Sequence, residues 1–139
     1  MSDGPIFSDN APKAVGTYPH ARRVGDLLFI SGIGPRHPKT NEIVGGPIRD
    51  EDGNQLDYDI KAQTKQVIEN IKSILAEENL SLGNVVDCLC FLVDMDRDFS
   101  GYNDVFGEYF SDVMATRTTI AISALPTPIA VEMKVIAKY

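Results

Sequence analysis

Two segments near the end of the chain, Thr118-Thr-Ile-Ala-Ile-Ser-Ala124 and Val131-Glu-Met-Lys-Val-Ile-Ala137, decide the architecture. Each alternates with a period of two, the spacing of a strand with one covered face. Thr118, Ile120, Ile122 and Ala124 share one side of the first, and Val131, Met133, Val135 and Ala137 one side of the second. Leu125-Pro-Thr-Pro128 joins them. Upstream, the period changes. Ile60, Thr64, Val67, Ile71, Ile74 and Leu75 recur in steps of mostly three and four, which predicts a helix over about Asp59–Asn79 with Asp57 as its N-cap. Phe99, Tyr102, Phe106, Tyr109 and Phe110 predict a second helix over about Asp98–Phe110, with these aromatics read as core. Between the helices, the apolar run Val85–Val93 reads as a strand.

The first half is less regular. Met1–Thr17 carries Gly, Pro, Asp and Asn and is expected to be a loose arm. Ala21–Val24 and Leu27–Ser31 flank Gly25-Asp26, a two-residue hairpin signal. Ile33–Asp57 then runs long, with four glycines, three prolines and a short strand expected at Glu42–Val44. The order β-β-(β)-α-β-α-β-β predicts an α+β fold: one domain over residues 1–139, with a mixed sheet of about six strands backed on one face by two helices. Two helices cover one face only, so the other meets solvent or another subunit.

Composition narrows the function classes. The chain has 139 residues, 43% apolar and 24% charged, enough for a core without disulfide staples. Lys plus Arg is 13 against 20 Asp plus Glu, a net charge of -7, which argues against nucleic-acid binding that rests on neutralising phosphates. No apolar run approaches the roughly 18 residues of a membrane helix. The start, Met-Ser-Asp-Gly-Pro, shows no basic region and no apolar stretch of a secretory signal, so a cytoplasmic protein is expected. Cys88 and Cys90, two apart on one strand, read as small buried apolar residues in a reducing compartment. With only His20 and His37 and no HExxH or four-cysteine pattern, a metal is not expected.

Parity places the charges. Arg117, Thr119, Ala121 and Ser123 fall opposite the apolar side of their strand, as do Glu132, Lys134 and Ile136 on theirs. Arg117 and Glu132 are therefore both expected on the uncovered face. They are either ordinary surface charges or parts of a site built against a neighbouring protomer. If the two strands form a tight hairpin about Thr127, Glu132 lies roughly 17 Å along from Arg117. A shared site then requires two subunits, a different strand pairing or a long substrate.

Arg117-Thr-Thr-Ile-Ala-Ile-Ser-Ala-Leu-Pro126 followed by Val131-Glu-Met-Lys-Val-Ile-Ala137 resembles the C-terminal signature of the RidA family of enamine/imine deaminases. Ala14-Val-Gly-Thr-Tyr-Pro-His20, Leu28-Phe-Ile-Ser-Gly32, Gln63 through Ile71 and Asn103 through Phe110 extend the likeness over nearly the whole chain. Within that family, Tyr18-Pro-His20, Arg23 through Gly32, Ala62-Gln-Thr64, Gly101 through Phe110 and Thr116-Arg-Thr-Thr119 are most similar to the 2-aminomuconate deaminases. The resemblance implies a chorismate-mutase-like fold. It also implies a homotrimer with sites in the clefts between subunits, and cofactor-free hydrolysis of an enamine or imine to a carbonyl compound and ammonia.

Residue roles follow from the resemblance. Arg117 matches the arginine that forks onto a substrate carboxylate. Glu132 matches the acid/base residue, unless it pairs structurally with Lys134 or Arg117. Tyr18 matches a pocket-lining tyrosine or else packs in the interface. Gly32 either lets the backbone approach the substrate closely or is a plain strand-end glycine, and Asn103 either polarises a water or amide near the site or is a surface residue at the helix start. Thr119 stands where short members often carry cysteine, which leaves thiol chemistry out. A dicarboxylate such as 2-aminomuconate needs a second anchor, for which Arg36, His37, Lys39, Arg49 and His20 are candidates. Three functions are open: a deaminase making 4-oxalocrotonate from 2-aminomuconate in aromatic-compound breakdown, a broad 2-iminoacid deaminase, and a non-enzymatic chaperone-like trimer.

Overall fold

The computed structural model describes residues 3–139. Six strands and two helices follow in the order β1 (Gly4–Ile6), β2 (Ala21–Val24), β3 (Leu27–Ile30), α1 (Ile60–Glu77), β4 (Val85–Leu92), α2 (Met95–Phe110), β5 (Thr116–Ala121) and β6 (Val131–Lys138). The strands form one mixed sheet in the order β1-β2-β3-β6-β4-β5. Only β4 and β5 run parallel. The α+β architecture expected from the alternating periods is therefore present, with six strands.

The sixth strand is not the one expected. Glu42–Val44 forms no strand and makes only an isolated bridge between Ile43 and Arg36. Instead the supposedly loose arm supplies β1, which pairs Gly4–Ile6 with Ala21–Arg23. Polar contacts hold it there. Asp3 Oδ1 accepts from the Gly25 amide at 2.8 Å, and the Ser8 amide donates to His20 Nδ1 at 3.0 Å. Pro5 is tolerated because β1 is an edge strand. The β2–β3 hairpin turns at Gly25-Asp26 as expected, with Gly25 at φ 61°.

Both helices start where an aspartate caps them. Asp59, in extended conformation, accepts from the Ala62 amide at 3.0 Å and begins α1. The expected cap Asp57 instead meets Arg97 at 2.8 Å. Asp94 accepts from the Arg97 amide, which starts α2 at Met95, three residues before the expected Asp98. The stripe of α1 behaves as its spacing predicts. Val67, Ile68, Ile71, Ile74 and Leu75 are fully buried, each contributing about 2 kcal/mol of apolar transfer. They pack on Leu28, Ile30, Cys88, Cys90, Met133 and Val135 of the sheet. The second stripe is only partly core. Tyr102 and Phe110 are buried, but Phe99 is 37% exposed. Gly101 lets the helices approach, since a Cβ there would lie 2.8 Å from Ile60 Cγ2.

The ladder corrects the expected faces. Cys88 and Cys90 pair with Val135 and Met133 of β6 and, on the other side, with Arg117 and Thr119 of β5. Residues in one such row share a face, and this row is the helix-covered one. Arg117 and Thr119 therefore lie under α2, while Thr118 and Ile120 lie on the open face. Ile120 pairs with Phe91, and Phe91 with Glu132. Glu132 is on the open face as expected; Arg117 is not. The alternation of β5 was read by taking its more apolar side as covered. The strand is instead an edge whose polar side meets an aromatic helix surface. Nor do β5 and β6 form a hairpin, because β4 lies between them. No helix among the described residues is long and apolar enough to cross a membrane.

Candidate active site

Beyond Ile30 the chain continues alongside β6, bonded through the Ile33 and Met133 backbones at 2.8 and 3.0 Å. This run carries Gly32 past Glu132. A Cβ at Gly32 would stand 2.5 Å from Glu132 Oε2, so only glycine leaves space for the carboxylate in its present place. Glu132 forms none of the ion pairs found among the described residues. Lys134, a residue that could have neutralised it, donates to the Ile30 carbonyl at 3.1 Å. Burial without a countercharge pushes the Glu132 carboxyl above its ordinary value.

Glu132 opens into a cleft of about 400 Å³ that also holds Tyr18, His20, Ser31, Gly32 and Arg36 in its wall. The expected residues Tyr18, His20, Gly32 and Glu132 thus converge. Tyr18 is 38% exposed, and its hydroxyl accepts from the Val15 amide at 3.4 Å, which closes the turn at the cleft rim. His20 has a structural task. Its Nδ1 accepts from Ser8, and Nε2 lies 2.7 Å from the Pro12 carbonyl, to which it donates. Neither ring nitrogen is left for a ligand.

Arg117, Asn103 and Thr119 form a second group on the opposite face. The Arg117 guanidinium donates to Asn103 Oδ1 at 2.8 Å and stacks over Phe106, with its carbon 4.7 Å from the ring centroid. Tyr102 and Phe99 complete an aromatic shelf at 5.4 and 5.9 Å. A guanidinium on such a shelf keeps donors free for a planar anion, and no carboxylate pairs with it among the described residues. Thr119 is 2.7 Å from the Tyr102 hydroxyl, and burial raises that phenol. The neighbouring thiols are buried and pushed up, Cys90 to about 11 and Cys88 to about 12, so neither is a nucleophile at neutral pH. No group of three or more His, Cys, Asp or Glu side chains suited to a metal occurs among the described residues.

Sequence reasoning missed three things here. Phe99 and Phe106 were read as core, and their partnership with Arg117 needs the parallel β4–β5 register to be seen. Ser31 enters the cleft wall but is tied to the Pro19 carbonyl at 2.8 Å. The long loop is anchored by two buried amides that the helical stripe passes over. Gln63 bonds to the Gly46 carbonyl and the Ala130 amide, and Asn70 bonds to the carbonyls of Gly34 and Arg36. Polar residues at fully buried helical positions are the signal that could have revealed them.

The structure thus combines a six-stranded mixed sheet backed on one face by two helices, a glutamate without an ion-pair partner in a cleft, and an arginine without one on an aromatic shelf. The chain belongs to the family described as Endoribonuclease L-PSP, whose model matches residues 8–139, and so to the RidA and RutC group of proteins. A RutC family protein of Pyrococcus abyssi is 41% identical over 137 residues, covering 99% of this chain and 98% of its own. Among solved structures, the yeast YEO7 protein is 33% identical with a TM-score of 0.82, over 99% of this chain and 98% of that one. The Escherichia coli TdcF structure with bound serine is 28% identical with a TM-score of 0.82, over 98% of each chain. Membership supports an enamine/imine deaminase or a related function.

Proposed function

We propose that the chain is a cofactor-free hydrolytic deaminase of enamine or imine carboxylates, with 2-aminomuconate as the substrate put first. The observation that carries this reading is the Glu132 carboxyl: half-buried, without an ion-pair partner among the described residues, raised by desolvation, and facing a cleft. Desolvation favours the protonated form of the carboxyl, which suits it to give a proton to a bound substrate. In its protonated form Glu132 delivers a proton to the nucleophilic carbon of the enamine, which becomes an iminium. As a carboxylate it then takes a proton from water as the oxygen adds to the C=N carbon. The carbinolamine collapses to the carbonyl compound, nitrogen leaves as ammonia, and the proton inventory of Glu132 is restored. Arg117 holds the substrate carboxylate through its guanidinium fork.

The two halves lie on opposite faces of one sheet, so Arg117 is supplied by a neighbouring copy. The open face supports such assembly. It carries the half-buried Phe29, Leu89, Phe91 and Ile136 beside the exposed Ile120. An apolar sheet face of this extent is suited to a like surface. A homotrimer is the assembly we propose, following the family resemblance. A net charge of -7 argues against a nucleic-acid substrate.

A second reading, a broad 2-iminoacid deaminase, is favoured by the likeness to the TdcF structure that holds serine, a small carboxylate. The test offers the purified protein 2-aminomuconate made in situ and, separately, a 2-iminopropionate-generating system. Ammonia from 2-aminomuconate, lost in Arg117→Ala, supports the first reading. Equal or better turnover of the small imine replaces it with the second. Silence with both substrates removes the enzyme reading altogether.

A further inference from the structure

A second hollow of about 440 Å³ adjoins the Glu132 cleft. Lys13, Ala14, Val15, Arg36 and Thr127 line both, so the two spaces share a wall. Three cations, Lys13, Arg36 and Lys39, line this annex, and no acidic residue does. None of the three forms an ion pair among the described residues. In a chain with seven more acids than bases, an acid-free concavity with three unpaired cations is a local reversal of the overall field.

The annex is built on fixed backbone. The Asn70 side chain, 1% exposed on α1, donates to the carbonyls of Gly34 and Arg36 at 3.0 and 2.9 Å. The Arg36 guanidinium gives one nitrogen to the Asn41 carbonyl at 2.7 Å, which orients the group and leaves other N–H donors open. His37 Nδ1 accepts from the Lys39 and Thr40 amides and holds the turn that presents Lys39. Of the residues that could anchor a second carboxylate, His20 has both nitrogens occupied, and His37 and Arg49 line neither space. Arg36 and Lys39 remain, and Lys13 joins them from the arm.

We propose that Lys13, Arg36 and Lys39 form a subsite for the distal carboxylate of a dicarboxylate, so that the site selects dianionic over monoanionic substrates. The proposal rests on the deaminase reading for its place in catalysis, but its own content is a binding preference. Arg36 supplies the directed hydrogen bonds and the two lysines supply charge. Their exposure weakens each contact, so the preference is carried by the three together.

The experiment uses two inert six-carbon dienes, cis,cis-muconate with two carboxylates and sorbate with one, titrated into the intact protein by calorimetry or NMR. The expected result is muconate affinity about tenfold or more above sorbate, roughly 1.4 kcal/mol for each factor of ten. That ratio collapses toward one in Arg36→Gln and in the double variant Lys13→Gln/Lys39→Gln. The lysine pair keeps the test decisive if Arg36→Gln disturbs the loop. Equal affinities in the unaltered protein, or a ratio that survives both variants, would overturn the subsite. Muconate preference in a protein that releases no ammonia upholds the subsite and sinks the deaminase. Ammonia release with a flat ratio does the reverse.

Discussion

Mixing two inactive variants should restore activity if the site forms between copies. Arg117 sits beside Cys88 on β4, and Glu132 beside Phe91. Their strands are two places apart and the positions three residues apart along β4, about 10 Å in each direction at ordinary sheet spacings. The side chains also leave opposite faces, so one protomer cannot bring both to one small molecule. Arg117→Ala and Glu132→Gln should each be inactive alone. An equal mixture, unfolded in urea and refolded together, assembles at random. A working site needs an intact Glu132 from one copy and an intact Arg117 from its neighbour. Each requirement is met half the time, so about one quarter of the sites recover, whatever the number of copies in a closed ring. Ammonia release reads the recovery, and native mass spectrometry confirms that mixed assemblies formed. Mixed assemblies with no activity above the separate variants would refute the reasoning.

Other expectations follow from single residues. Gly32→Ala sets a Cβ 2.5 Å from Glu132 Oε2 and 2.9 Å from its Cδ, so the carboxylate must turn away. Turnover should fall about tenfold or more with little change in Tm, because a flexible tip gives way; a lower Tm with unchanged turnover would contradict this. Glu132 is raised by burial, so folding favours its protonated form and its ionisation destabilises the native state as pH rises through the folded value. Glu132→Gln should therefore raise Tm at pH 7 but not at pH 4, as differential scanning calorimetry would show. Asn70→Ala leaves the Gly34 and Arg36 carbonyls without their buried donor and should cost about 2 kcal/mol in urea unfolding, with faster hydrogen exchange in the 34–41 loop.

The helices and most strands were legible because their stripes report burial directly. Ile71, Ile74 and Leu75 could face only a core, and Met133 and Val135 alternate against the exposed Lys138 end of β6. The placement of Glu132 on the open face was legible for the same reason, since β6 is central and its parity is unambiguous. Strand β5 was misread because it is an edge. Arg117 is sheltered by aromatic faces of α2 and Ile120 lies in the open, so apolarity there points the wrong way. Only knowledge that β5 runs parallel beside β4 settles its faces, and pairing order is not written in the local pattern. The arm was misread because β1 is held by Asp3, Ser8 and His20, contacts that reach far along the chain. The cationic annex was partly visible as Arg36 and Lys39 in a long loop, but Lys13 joins it only through the tertiary fold.

The most direct test of the account is ammonia release from 2-aminomuconate by the unaltered protein and by Glu132→Gln under the same conditions. The variant keeps the size and shape of the side chain and removes its charge and its ability to exchange a proton. The account predicts steady release by the first and a loss of at least about a hundredfold in the second, with the assembly intact. Equal release by both proteins would contradict it, because deamination would then not pass through the Glu132 carboxyl on which the reading stands.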